Sequence, residues 1–299
     1  MSGITVEALW PSWELSLKAG NRSPATLRNY RAHVVGSFAG WLSDQGHSSA
    51  VTDITRQDIR EYLAHQSETL SASTAATRFR CLRVFFRWCV AEDELETSPL
   101  EGIEQPKVDE PEVPLFSDED VLALLAACDG RDFADRRDTA LVRLLIDTGL
   151  RAAEIMSLAV DDIELANGTA SVMGKGSRGR TVQYGNKTAQ ALDRYLRARR
   201  SHKAAAADAL WLGIRGPMGT TGLTQMLRRR GDQADIDSVR PHRFRHTFAH
   251  RWLAAGGQEG DLQHLGGWAT GDMIRRYGAS AQAERARDAH KRLALGDQL

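Results

Sequence analysis

At 299 residues, with 42% hydrophobic and 26% charged side chains, the chain has the size and composition of a globular protein of one large or two ordinary domains. No apolar run approaches the roughly 20 residues of a membrane span, and no basic-then-apolar leader opens it, so a membrane role is excluded and a cytoplasmic one expected. The formal net charge is zero, which argues against a uniformly basic polyanion binder, yet Val172–Trp252 holds 17 Lys and Arg against 5 Asp and Glu, while residues 1–110 hold 11 against 15. Segregation of this kind reads as a basic face turned towards a polyanion, although Arg stems covering apolar surface account for part of Arg194–Arg200.

Thr5–Lys18 reads as a short amphipathic helix with Leu9, Trp13 and Leu17 at spacing four. Ser23 as N-cap and Pro24 at the first position open a longer one. Its apolar stripe of Leu27, Tyr30, Val34, Phe38, Trp41 and Leu42 runs to Asp44–Gly46. Thr55 caps a shorter helix carrying Ile59, Tyr62 and Leu63. Ser71–Val90 is the fourth, with Phe79, Leu82, Phe85, Phe86 and Cys89 facing inward and Arg78, Arg80, Arg83 and Arg87 punctuating it. Cys81, Cys89 and Cys128 show no C-x-x-C pairing, and the first two sit in helical apolar context as core thiols. Residues 1–104 are thus expected to form an all-helical domain.

Gln105–Pro114 contains three prolines among charged residues and reads as an extended linker. A second domain, 115–299, opens with Ser117-Asp-Glu-Asp120, a capping-box pattern before an apolar helix. Arg137–Thr148 is the next helix, closed by Gly149, and Arg151–Leu158 a short one. Val160–Leu165, Thr169–Met173 and Arg180–Tyr184 are strand candidates, the last two joined by the Gly-rich tip Gly174–Gly179. Everything after Lys187 reads as helical, including a tail at Ala281–Leu295. The expected class is therefore mainly α, an all-helical N-terminal domain followed by an α-rich domain with a small antiparallel sheet.

The chemistry concentrates in Arg240-Pro-His-Arg-Phe-Arg-His-Thr-Phe-Ala-His250. Pro241 suits a first helical turn, and His242, Arg245 and His246 at spacings of three and four share one face beside the apolar ridge Phe244, Phe248 and Trp252. After Gly256-Gly257 come Leu262-Gln-His-Leu-Gly-Gly-Trp268 and, nine residues on, Tyr277. Each residue has a plain reading by itself. Arg151 of Thr148-Gly-Leu-Arg151 can pair with Glu154 across one turn, and Lys175 can be a solvated turn lysine. Trp268 can be a core tryptophan and Tyr277 a helix-end tyrosine. His242, His246 and His250 suggest a metal ladder, but no acidic or Cys ligand accompanies them, so no metal site is expected.

Taken together and in this order, Arg151, Lys175, His242, Arg245, Trp268 and Tyr277 resemble the catalytic set of the tyrosine recombinase (phage integrase) family. The matching strings are Thr-Gly-Leu-Arg-Ala-Ala-Glu154, Gly-Lys-Gly176, Pro-His-Arg-Phe-Arg-His246 and Leu-Gly-Gly-Trp268. The resemblance covers about the last 185 residues. The first hundred resemble the family's SAM-like core-binding domain only in general form. Trp268 stands where many members carry His.

The resemblance implies that Tyr277 attacks a DNA phosphate and leaves a 3′-phosphotyrosyl link and a free 5′-hydroxyl, without metal, nucleotide or other cofactor. Tyr is a competent covalent nucleophile, and two guanidiniums suit the developing phosphoryl charge. Arg151 and Arg245 would hold phosphate oxygens, and His242 and Trp268 would add donors, His242 also able to act as base. Lys175 would protonate the leaving oxygen, while Glu154 and His246 would orient their neighbours. The two domains would clamp double-stranded DNA, with Arg78, Arg80, Arg83, Arg178, Arg180 and Arg243 as contacts, in a homotetramer on two sites. A DNA-relaxing enzyme of the type IB topoisomerase kind, a catalytically silent DNA-binding protein and a metal nuclease are the other classes.

Overall fold

The computed structural model describes residues 3–108, 114–174, 179–268, 290–291 and 294. It divides into two compact units, Met1–Pro111 and Glu112–Leu299. Lys175, Arg178, Tyr277 and the expected tail helix Ala281–Leu295 (His290, Lys291 and Ala294 apart) lie outside the described residues.

The first unit is all helical: α1 (Val6–Ala19), α2 (Pro24–Tyr30), a π-helical stretch Arg31–Ala39, α3 (Gly40–Asp44), α4 (Arg56–Thr69) and α5 (Ala72–Ala91). The starts follow from local chemistry. Ser23, Thr55 and Ser71 each accept a hydrogen bond from a backbone N–H three residues on, and Asp58 Oδ2 in turn accepts from Thr55 N at 2.7 Å. The helix expected from Pro24 to Asp44 is continuous, but its middle is wound with the wider π turn. Val34, Phe38 and Leu42 are nonetheless fully buried. An aromatic core follows, with Trp13 at 5.0 Å from Phe85 and Phe38 at 5.0 Å from Tyr62, whose hydroxyl bonds Ser37 at 2.8 Å.

In the second unit α6 (Asp118–Ala127) starts on the expected capping box, with Ser117 and Asp120 exchanging bonds of 3.0 and 3.2 Å. α7 (Phe133–Thr148) begins four residues earlier than expected, because Asp132 rather than Arg137 opens it. It ends at Gly149, whose φ is +56°, and a Cβ there would lie 2.6 Å from the Phe248 ring. α8 (Ala152–Met156) follows. A three-stranded antiparallel sheet comes next, β1 (Ile163–Glu164), β2 (Thr169–Met173) and β3 (Gly179–Gln183), in that order and with Val172 opposite Arg180. The expected strand from Val160 begins as a 3₁₀ turn and pairs only at Ile163–Glu164.

Beyond α9 (Asn186–Arg199) the expectation of unbroken helix is corrected. Leu212-Gly213 and Gly216-Pro217 form a two-stranded hairpin, β4 and β5, before α10 (Thr220–Ala234). Gly213 and Gly216 break any helix there, and Trp211 is fully buried, its indole N–H donating to Ile155 O at 2.8 Å. α11 (Pro241–Ala254) and α12 (Glu259–Gly266) complete the described elements. Among the buried charged groups, Asp138 is fully buried and bound by Arg137 at 2.6 Å and Arg230 at 2.8 Å, which ties α7 to α10. The protein is mainly α, and among the described residues no helix is long and apolar enough to cross a membrane.

Candidate active site

α7 delivers Arg151 just past its glycine terminus, and α11 delivers His242, Arg245 and His246 one turn apart. Arg151 is the N-cap of α8 and donates its backbone N–H to Glu154 Oε2 at 3.0 Å and Nη1 to Oε1 at 2.8 Å. The i,i+3 pairing open from the sequence thus forms, and it leaves the Arg151 side chain 40% exposed. Arg245 is buried and donates to Gly149 O at 2.9 Å and Gly266 O at 2.6 Å, with Cζ 4.0 Å over the Trp268 ring.

The Leu-Gly-Gly string after α12 ties the cationic side chains together. Leu265 O accepts from Arg180 at 2.8 Å, Gly266 O from Arg245 at 2.6 Å and Gly267 O from Arg151 at 2.8 Å. Three successive carbonyls at a helix C-terminus, where the backbone dipole is negative, each take one guanidinium. The glycines have a steric reason: a Cβ on Gly266 would run into the Trp268 ring, and Gly267 has φ +60°. Trp268 is buried with Ala249, Leu253 and Leu262.

His242 and His246 face each other, Nε2 to Nε2 at 2.7 Å. Burial, then the charge of Arg245, lowers the His242 pKa. Burial, then His242 and Arg245, lowers that of His246 to about 4. Both rings are therefore neutral at pH 7, one donating to the other. Burial pushes the Glu154 carboxyl up, but bonds from Arg180, then from the backbone and guanidinium of Arg151, outweigh it and hold it below the usual carboxylate value. Among the described residues no three of His, Cys, Asp and Glu gather where a metal ion could bind.

The His246 ring carries a consequence for stability. Its folded pKa lies below the unfolded one, so the unfolded chain binds the proton first as pH falls. Stability is expected to decline between about pH 6.5 and 4, by at most about 1.4 kcal/mol per pH unit for this group. Urea titrations of wild type and His246→Gln across that window check it, and an equally steep decline in the variant would contradict the assignment.

The residues expected on DNA divide. Arg80 and Arg83 are exposed on α5, Arg83 lying 5.5 Å over the Phe79 ring, and Arg78 is half-buried against Gln66. Arg243 turns inward to Leu115 O and Asp120, both at 3.0 Å, with Cζ 3.9 Å over the Phe116 ring. Arg180 is 7% exposed and bound to both Glu154 oxygens. Strand alternation carries the missed signal, since Arg180 shares a face with Val182, which is buried.

The arrangement suits the binding of a phosphoryl group beside a neutral imidazole. Residues 115–284 match the phage integrase family, and residues 12–93 the phage integrase N-terminal SAM-like domain. The chain is 32% identical over 260 residues to tyrosine recombinase XerC of Pelotomaculum thermopropionicum, covering 83% of this chain and 85% of that protein. It is 33% identical over 274 residues to tyrosine recombinase XerD of Ralstonia nicotianae, covering 89% and 86%. Its fold is similar to that of the Tn1549 transposon integrase in complex with transposon right end DNA, with TM-score 0.79, 22% identity and coverage of 97% and 99%. The XerH recombinase in its post-cleavage complex with palindromic difH is also similar, with TM-score 0.73, 19% identity and coverage of 95% and 83%. The chain belongs to the tyrosine recombinase, or phage integrase, family.

Proposed function

We propose that this chain is a cytoplasmic site-specific recombinase that cuts and rejoins duplex DNA through a 3′-phosphotyrosyl intermediate at Tyr277. The observation that carries this reading is the capture of Arg151 and Arg245 by adjacent carbonyls of one turn, Gly267 and Gly266. Two guanidiniums fixed side by side match the two non-bridging oxygens of a phosphodiester. Tyr277 Oη forms the new P–O bond as the P–O5′ bond breaks. Neutral His242, held by His246, accepts the phenolic proton, and Lys175 supplies one to the departing 5′-oxygen. Trp268 braces Arg245, and its indole N–H adds a donor. The phosphodiester energy is kept in the protein–DNA bond, so the returning 5′-hydroxyl reseals the strand without a nucleotide.

The alternative nucleophiles of the second unit support Tyr277. Tyr184 is buried, donates to Glu164 O at 3.2 Å and has its pKa raised by burial to about 12. Tyr195 is fully buried and bonded to Leu210 O at 2.9 Å. The reaction needs no divalent metal in this reading, since two cationic forks do the work a metal would do. Recombination of a two-site plasmid is therefore expected to proceed unchanged in EDTA, and activity lost there and restored by magnesium would overturn it.

Exchange between two duplexes takes four nucleophiles, so the working form is a homotetramer on two sites. Residues 1–104 and 115–299 act as the two DNA-binding domains, with 105–114 between them. The sequence of the tail Ala281–Leu295 has Ala286, Ala289 and Leu293 at helical spacing, a stripe that needs cover in its own subunit or in a neighbour's, and the tetramer reading assigns it to the neighbour. Truncation after Ser280 is expected to keep one-site binding while removing the two-site complex and recombinant product. Normal assembly and recombination by the shortened chain, read by band shift and plasmid assay, would place the stripe within its own subunit.

A further inference from the structure

Arg151 is the exposed member of the arginine pair, and a long side chain at 40% exposure has many rotamers. What fixes it lies behind it. Glu154 Oε1 accepts from Arg151 Nη1 at 2.8 Å and Arg180 Nη1 at 3.2 Å, while Oε2 accepts from Arg151 N at 3.0 Å and Arg180 Nη2 at 3.0 Å. The carboxylate is therefore held flat by a two-pronged guanidinium and offers its remaining capacity to Arg151. Arg180 Nε reaches Leu265 O at 2.8 Å, two residues before the carbonyl that takes Arg151 Nη2. Gly267 lies between the two cations, with its Cβ position 3.0 Å from Arg180 Nη1 and 3.4 Å from Arg151 Nη1.

Resting on the recombinase reading, we propose that Arg180 is a positioning residue that sets the plane of Arg151 through Glu154, rather than a contact to DNA. Its side chain is 7% exposed and both terminal nitrogens go to the two oxygens of Glu154, so its charge is matched by a carboxylate inside the protein, whereas Arg245 donates to the neutral carbonyls of Gly149 and Gly266. Two cations on one carboxylate repel each other, and the carbonyls of Leu265 and Gly267 offset that repulsion at the negative end of α12. Arg180 also stands on β3, five residues past Lys175, and so pins the strand leading from that hairpin to α12.

The test is single-turnover formation of the covalent complex on nicked duplex DNA at saturating DNA, alongside DNA affinity across a salt series. Arg180→Gln is expected to slow covalent capture about 100-fold, the scale of a misplaced catalytic group, while Kd and its salt dependence stay those of wild type. Arg180→Lys keeps one charge beside Glu154 and is expected to recover part of the rate, and it serves as the test if the Gln variant does not fold. Adding Glu154→Gln to Arg180→Gln is expected to slow capture no further, because both changes release the same side chain. A weaker Kd with a salt slope lower by about one would make Arg180 a phosphate contact, and an unchanged rate or additive losses would equally overturn the proposal. Absence of any Tyr277-linked adduct in wild type would instead overturn the recombinase reading itself.

Discussion

Tyr277→Phe is expected to bind DNA as wild type does and to form no covalent protein–DNA complex. Removal of a nucleophilic oxygen takes away the bond-forming atom itself, so the loss is at least about 10⁴-fold. Three tyrosines lie in the second unit. Tyr184 and Tyr195 are buried with their hydroxyls bonded to Glu164 O and Leu210 O, and burial raises the pKa of both. Neither can meet a duplex phosphate without unfolding part of the core. Tyr277, ten residues past the carbonyl that holds Arg151, is the remaining candidate. A detergent-stable adduct on nicked duplex DNA that persists in the Phe variant would move the nucleophile elsewhere.

Arg245→Lys and Arg151→Lys are expected to cleave about 100-fold more slowly, or worse, with DNA affinity changed little. Each guanidinium spans two partners that an ammonium cannot reach at once. Arg245 bridges Gly149 O and Gly266 O and stacks 4.0 Å over Trp268. Arg151 bridges Glu154 and Gly267 O. Loss of one fixed transition-state donor costs about 3 kcal/mol, which is roughly a hundredfold in rate. Single-turnover cleavage by Lys variants at near-normal speed would show that these arginines only hold the fold.

Most of this architecture was legible because its signals are local. Ser23, Thr55, Ser71 and Ser117 mark helix starts within three residues of chain, and each forms the bond that its type and position imply. The spacing of four between His242 and His246 put them on one face, and their 2.7 Å contact follows from it. The π winding of Arg31–Ala39 was not legible, since apolar residues at spacing four suit an α-helix equally. The β4–β5 hairpin has only two residues in each strand, too few for an alternation pattern, and Gly213 and Gly216 are its one local signal against a helical background.

The arginines show where charge alone misleads. Arg243 and Arg180 count towards the basic face, yet their partners are Phe116, Asp120, Glu154 and Leu265, brought near by tertiary folding. Arg180 carried a readable clue in its alternation with Val182, while Arg243 carried none. The Leu-Gly-Gly string stood out as a motif, but its purpose did not. Only the folded chain puts its three carbonyls on three guanidiniums.

The most direct test of the phosphotyrosyl mechanism is to identify the covalent link itself. Wild-type protein would be trapped on nicked duplex DNA in EDTA without nucleotide, digested with protease and nuclease, and the DNA-linked peptide sequenced by mass spectrometry. The expected product is a single peptide containing Arg276-Tyr277-Gly278, joined through the tyrosine oxygen to a 3′-phosphate, with a free 5′-hydroxyl on the other DNA end. A link through another residue, a 5′-phosphate attachment, or cleavage that appears only when magnesium is added would contradict it.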